Sequence, residues 1–318
     1  MALLSLWGVV GEGSRARRRF VALCGVAAFA AALPGCSIEK LAVNRLGDAL
    51  ASGSDTFASD DDPEFVGAAI PFGLKTIEGL LAKSPRHEGL LFAATSGFTS
   101  YSYAYLQCEA DYVEEQDLAR ATELRARAVR MYKRALGYGL RGLEVAHPGF
   151  ATRIKTDPAA AVALLERSDV PTAHWTAAAW GAAIGMSKQD VDLVADLPAV
   201  EALMRRVVEL DEGYAEGAPH DLLLAYESRA AAAGGSEERA RKHFEAARRL
   251  SNGRRAGPLV ALAESVDVPK QDKAEFERLL NEALAIDPDA APRDRMANLV
   301  AQKRARWLLG RTDRLFVE

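Results

Sequence analysis

The chain has 318 residues, and its 40 Lys and Arg residues against 44 Asp and Glu residues give a formal net charge of −4. This balance offers no basic face of the kind that nucleic-acid binding needs, so we exclude that class of function. The length allows one large or two modest domains with a full hydrophobic core.

Residues 1–35 have the organisation of a bacterial lipoprotein signal peptide. An arginine-rich region precedes the apolar residues 20–33, and the sequence Leu-Pro-Gly-Cys ends at Cys36. The apolar run is shorter than the roughly 20 residues of a membrane-spanning helix, which argues against a transmembrane anchor. We therefore expect lipidation of Cys36 and exposure of the mature chain to the periplasm. Ser37 favours attachment to the outer membrane, and the arginine run leaves both Sec and twin-arginine export open.

The cysteines predict no disulfide. Cys24 lies in the signal peptide and Cys36 carries the lipid, which leaves Cys108 alone in an oxidising compartment. Apolar neighbours favour a buried packing role for Cys108.

Hydrophobic residues recur with helical spacing along the mature chain, and no sustained alternation marks a strand, so we predict an all-α fold. Residues 36–62 form the lipidated N-terminal segment and linker, with the polar stretch Ser52 to Asp62 at its end, and residues 63–318 form the helical domain. Asp62 followed by Pro63 predicts a helix start. Two further helices are predicted over His87 to Tyr112 and Asp117 to Leu143.

A tetratricopeptide-like spacing recurs in three helices. A small residue, an aromatic residue four positions later and an alanine three further on occur at Ala128, Tyr132 and Ala135, and at Ala240, Phe244 and Ala247. A third copy at Leu280, Ala283, Leu284 and Pro288 has Phe276 at the small position. We predict a degenerate tetratricopeptide-like helical repeat array, in which stacked helix pairs form a binding surface.

Motifs for catalysis or cofactor binding do not occur. The five histidines are not at metal-ligand spacing, and no nucleophile elbow, phosphate loop or dinucleotide fingerprint is present. We expect neither an enzyme, nor a cofactor, nor a metal site.

Three segments are candidates for a ligand-binding or pore-lining surface. Residues 97–107 are rich in aromatic and hydroxyl groups, residues 174–184 carry two tryptophans among small residues, and residues 293–309 present a polar stripe beside an apolar face. Core packing or a solvated face is the alternative for each segment. The candidate residues are Phe98, Tyr101, Tyr105, Trp175, Trp180, Arg295, Asn298 and Gln302.

Several short motifs along the mature chain resemble one family. They are Gly97-Phe98-Thr99-Ser100-Tyr101 with Glu109-Ala110-Asp111, Tyr138 to Glu144, His147-Pro148-Gly149-Phe150, Trp175 to Gly181, Ala240 to Phe244 and Arg306-Trp307-Leu308-Leu309. Their order and spacing resemble the TatT family, the lipoprotein T component of tripartite ATP-independent periplasmic (TRAP) transporters. His174 departs from the expected pattern, which has a tyrosine there.

The resemblance implies a periplasm-facing lipoprotein, a homotrimer with a central pore and clefts, which binds the periplasmic solute-binding protein of a TRAP-type transport system. A small ligand, hydrophobic or a carboxylate, would pass through a cleft or pore. In this hypothesis the aromatic candidates form an apolar passage, and Arg295, Asn298 and Gln302 orient a carboxylate or partner. The alternative is a tetratricopeptide-like outer-membrane scaffold for envelope assembly that binds peptides.

Overall fold

The computed structural model describes residues 44–48 and 54–317. Within these ranges every regular element is helical, which confirms the all-α prediction. The signal peptide and Cys36 lie outside the described residues, so cleavage and lipidation stay predictions.

The helices follow one another with short connections. They are α1 (Ser54–Ala58), α2 (Pro63–Lys83), α3 (Glu88–Tyr101), α4 (Cys108–Val113), α5 (Leu118–Ala146), α6 (Phe150–Thr156), α7 (Pro158–Val162), α8 (Val170–Met186), α9 (Val191–Ala195), α10 (Leu197–Asp211), α11 (Ala218–Glu227), α12 (Glu237–Leu250), α13 (Gly257–Leu262), α14 (Val268–Lys270), α15 (Lys273–Ala285), α16 (Arg295–Leu309) and α17 (Thr312–Leu315).

Local sequence signals set the first helix starts as expected. The Asp62 carboxylate accepts hydrogen bonds from the amides of Glu64 and Phe65 at 3.0 and 2.9 Å, and Pro63 occupies the first turn of α2. Asp117 caps α5 in the same way. The predicted linker differs in one respect, because its residues 54–58 form α1, which packs against α16.

Two hydrophobic cores lie side by side. The N-terminal core is built from α2 to α11, and the C-terminal core from α11 to residue 316; Leu223 contributes to the first and Leu224 to the second. The pattern residues of α5, Ala128, Tyr132 and Ala135, are buried in the N-terminal core. The C-terminal core contains Ala240 and Phe244 of α12 and, from the third copy, Phe276, Leu280 and Ala283. Such burial is common to any helix bundle, so the tetratricopeptide-like array stays a prediction.

Two π-helical segments interrupt the helices. The first, Ser102–Gln107, joins α3 to α4, and the Cys108 amide donates to the Tyr103 carbonyl five residues back. The second, Ala263–Asp267, joins α13 to α14, with the same spacing between Val268 and Ala263. Each inserts an extra residue into a helical turn, which changes the direction of every side chain that follows.

A close helix crossing fixes the centre of the N-terminal core. A Cβ atom on Gly139 of α5 would lie 2.2 Å from the Thr176 hydroxyl of α8 and 3.0 Å from Thr95 of α3. Only glycine allows this approach, so α5 and α8 cross closely at this point.

Helix α2 leaves much of its apolar surface uncovered. Val66, Leu74 and Leu81 are buried, whereas Phe65 and Phe72 are 66% and 80% exposed. Among the described residues, α2 alone has the length and apolar composition that could cross a membrane, which by itself is weak support for a span.

Candidate functional site

A group of aromatic side chains lies where α16 of the C-terminal core packs near α4. It consists of Tyr103, Tyr112 and Trp307 with Arg304, and we call the surface that these residues form the aromatic cleft. The rings of Tyr112 and Trp307 are 5.5 Å apart, and the Arg304 guanidinium lies 4.4 Å from the Trp307 ring and 5.9 Å from that of Tyr112. These distances are typical of cation–π contacts.

Arg304 connects the two cores through ion pairs. Its Nη1 donates to Asp111 of α4 at 2.8 Å, and its Nε donates to Glu264 of the second π-helical segment at 3.1 Å. Arg125 of α5 binds the other oxygen of Asp111 at 2.8 Å. One buried guanidinium thus joins α4, which follows the first π-helical segment, to the second π-helical segment.

Tyr103 is exposed beside this group. The residue is 44% exposed, and the nearby Cys108 sulfur and then burial raise the pKa of its hydroxyl well above the usual value. The Tyr103 phenol therefore stays protonated and can donate a hydrogen bond to the Cys108 sulfur.

Cys108 lies beside Tyr103 as a packing residue. It is 2% exposed and forms no disulfide, as its apolar neighbours predicted. Burial raises the pKa of its thiol to about 11, so the thiolate needed for nucleophilic chemistry is scarce near neutral pH.

The predicted aromatic stripe of α3 is divided by the π-helical segment. Phe98 is buried against Tyr138, with ring centroids 5.9 Å apart. Tyr101 stacks on Tyr105 at 5.6 Å, and the Tyr105 hydroxyl donates to the Pro63 carbonyl at 2.8 Å. The extra residue gives Leu106 the buried position and turns Tyr103 outward, so the exposed ring of this segment is one that helical spacing did not select.

The two tryptophans of α8 have different surroundings. Trp180 is 0% exposed in the N-terminal core, with the Lys155 ammonium 5.5 Å from its ring. Trp175 is half-buried and makes an edge contact with His174 at 5.4 Å. Burial and then Arg255 lower the pKa of His174 to about 3, so this histidine is neutral at physiological pH.

The polar side chains of α16 form hydrogen bonds with backbone groups of the same chain. The Asn298 amide accepts from the Ala256 amide at 2.8 Å and donates to the Arg254 carbonyl at 2.9 Å, and Gln302 donates to the Ile286 carbonyl at 2.7 Å. Arg295 donates to the Ser59 carbonyl at 2.8 Å. These groups hold α13, α15 and the segment before α2 in place, and their ligand role stays a prediction.

The structure brings only part of the predicted set together. Met296 of α16 lies 3.9 Å from the Tyr105 hydroxyl, so the first and third segments meet, whereas Trp180 is apart from them in the core. The candidate residues did not include Tyr103, Tyr112, Arg304 or Trp307, although Tyr103, Arg304 and Trp307 lie within the selected segments. No group of three or more possible metal ligands occurs among the described residues.

Comparison with known proteins shows the family of the chain. The sequence pattern of the TRAP transporter T-component family (TAtT) matches residues 59–316. An uncharacterized protein of Treponema pallidum (strain Nichols) is 29% identical over 312 residues, which cover 92% of this chain and 97% of that protein. The chain therefore belongs to the TRAP transporter T-component family, whose members are accessory components of envelope-associated TRAP transport systems.

Proposed function

We propose that this protein is a lipid-anchored periplasmic component that binds the solute-binding protein of its TRAP system and holds a small, mainly apolar ligand in the aromatic cleft. The family supports the transport role, and Tyr103 is the observation that supports the location. Its exposed ring lies beside other aromatic groups and offers a ligand apolar contact.

The surroundings of the cleft fit a ligand with one polar end. Lys303 lies 5.3 Å from the Tyr112 ring and has no carboxylate partner among the described residues. The Tyr103 ring adds apolar contact, while its hydroxyl lies at the Cys108 sulfur. A chain with an apolar body and a carboxylate or carbonyl head would use both features.

The exposed face of α2 supports an oligomer. Phe65 and Phe72 lie seven residues apart on one side of the helix, where Phe72 is 80% exposed. Such a face is apolar enough to pack against another protomer, which is consistent with the homotrimer that the family resemblance implies.

Ligand retention tests the cleft assignment. The chain from Ser37 to Glu318, which contains every described residue, is purified from its own organism without denaturation, and bound small molecules are extracted and quantified by mass spectrometry. We expect Tyr103→Ala to retain about tenfold less ligand, equivalent to about 1.4 kcal/mol of lost contact. Tyr103→Phe keeps the ring and is expected to retain most of it.

The control is Val191→Ala, which removes an apolar side chain that is 77% exposed on α9. It is expected to match the wild type. Equal ligand content in Tyr103→Ala and wild type would show that the ligand binds elsewhere. If the wild-type protein yields no extractable ligand, the ligand part of the proposal is wrong.

A further inference from the structure

An open pocket of roughly 280 Å³ lies between α10, α11 and the start of α12. Its charged and aromatic lining consists of Glu201, Arg205, Tyr226, Arg229 and Arg239. None of these residues belongs to the aromatic cleft, and the transport proposal does not use them.

A buried carboxylate holds two of the arginines. Glu227 is 0% exposed and accepts from Arg239 Nε at 2.8 Å and from Arg205 Nη2 at 3.1 Å. Because the carboxylate is fixed in the core, the two guanidinium groups are fixed at the pocket wall.

Arg229 is held in place without a carboxylate. Its guanidinium lies 3.6 Å from the centre of the Tyr226 ring, and its Nε donates to the Tyr226 carbonyl at 2.6 Å. Among the described residues no Asp or Glu forms an ion pair with it, although most arginines here have one. The loop fixes its backbone too, since a Cβ on Gly235 would lie 1.8 Å from the Arg229 carbonyl oxygen.

The remaining charge in the pocket is positive. Three guanidinium groups face the two carboxylates of Glu201 and Glu227, so one positive charge stays unneutralised. Burial would raise the pKa of Glu201, but the Tyr226 hydroxyl and Arg205 outweigh burial and lower it, which keeps Glu201 ionised. A ligand with one negative charge neutralises the remaining positive charge of the pocket. A doubly charged phosphate would leave one negative charge without a counterion.

We propose that this pocket binds a single carboxylate group through the two Nη atoms of Arg229. The planar fork of a guanidinium matches the two oxygens of a carboxylate, and stacking on Tyr226 limits the entropy lost on binding. The carboxylate belongs either to a free organic acid or to an Asp or Glu side chain of a protein partner.

Nuclear magnetic resonance of the arginine side chains tests this site directly. The Nε–H signals of ¹⁵N-arginine-labelled protein (Ser37 to Glu318) are followed while propionate, or N-acetylglutamate amide as a mimic of a protein side chain, is added. We expect a saturable shift with a Kd of about 1–10 mM, the range for one exposed bidentate pair. Saturation by propionate alone identifies a free acid, and equal saturation by both identifies a side chain.

Two variants that alter the pocket in different ways separate a loss of binding from a loss of folding. Arg229→Gln removes the fork, and Ala233→Glu places a competing carboxylate beside an intact Arg229; both are expected to weaken binding at least about tenfold. Arg153→Gln, at an exposed arginine of α6, is the matched control and is expected to bind as wild type. The absence of a saturable shift, unchanged binding by Ala233→Glu, or sulfate binding as tight as propionate would overturn the proposal.

Discussion

Replacing Trp180 with alanine is expected to lower the free energy of unfolding by about 3–5 kcal/mol, the cost of truncating a fully buried large side chain. The ring is 0% exposed in the N-terminal core, and α8 crosses α5 at the glycine contact close to it along the helix. The cavity left by alanine cannot close easily, because Gly139 already lies against Thr176. Urea denaturation followed by circular dichroism measures the loss.

Trp175→Ala is the matched comparison for this prediction. The same residue type on the same helix is half-buried, so its truncation is expected to cost about 1–2 kcal/mol. If Trp180→Ala unfolds at the wild-type urea concentration and instead loses bound ligand, Trp180 lines a passage as the sequence suggested and the core assignment is wrong.

Replacing Arg304 with methionine is expected to lower the free energy of unfolding by about 2–3 kcal/mol. Breaking a buried ion pair typically costs about 3–5 kcal/mol, and the lower figure allows for Arg125, which still neutralises Asp111, and for partial exposure of Glu264. Methionine keeps an apolar stem but removes the guanidinium with its ion pairs and its cation–π contact with Trp307. The loss therefore reports the link from α16 to α4 and to the second π-helical segment.

A surface ion pair provides the control for Arg304. Arg120 and Glu123 lie 2.7 Å apart with both side chains about half exposed, and Arg120→Met is expected to cost less than about 0.5 kcal/mol. Adding Glu264→Gln to Arg304→Met should restore part of the stability, because it removes the carboxylate left without its partner. Equal denaturation curves for Arg304→Met and Arg120→Met would show that the two cores do not depend on this link.

Local signals in the sequence predicted the helices well. Asp62 with Pro63, and Asp117 before α5, begin their helices as their capping chemistry indicates. The apolar stripe of α5 is buried at Leu124, Ala128 and Tyr132. These features depend on neighbours within a few residues, which a single sequence contains.

The site was predicted less well because it depends on a π-helical insertion and on contacts between residues far apart in the sequence. Helical spacing indicates neither of them. The π-helical insertion after Tyr101 changes which ring faces solvent, so Tyr103 rather than Tyr105 belongs to the aromatic cleft. The Asn298 amide, which looked available on a polar stripe, bonds to backbone groups 42 and 44 residues away. Arg304 likewise meets Asp111 across 193 residues of sequence.

Identifying the proteins that bind the chain tests the transport proposal most directly. The Ser37 to Glu318 protein is immobilised and incubated with envelope extract of its own organism, and the retained proteins are identified by mass spectrometry against a blank resin. We predict specific enrichment of a TRAP-type solute-binding protein, which excess free Ser37 to Glu318 protein should displace. Enrichment of outer-membrane assembly proteins without a solute-binding protein would contradict the proposal and favour the scaffold alternative.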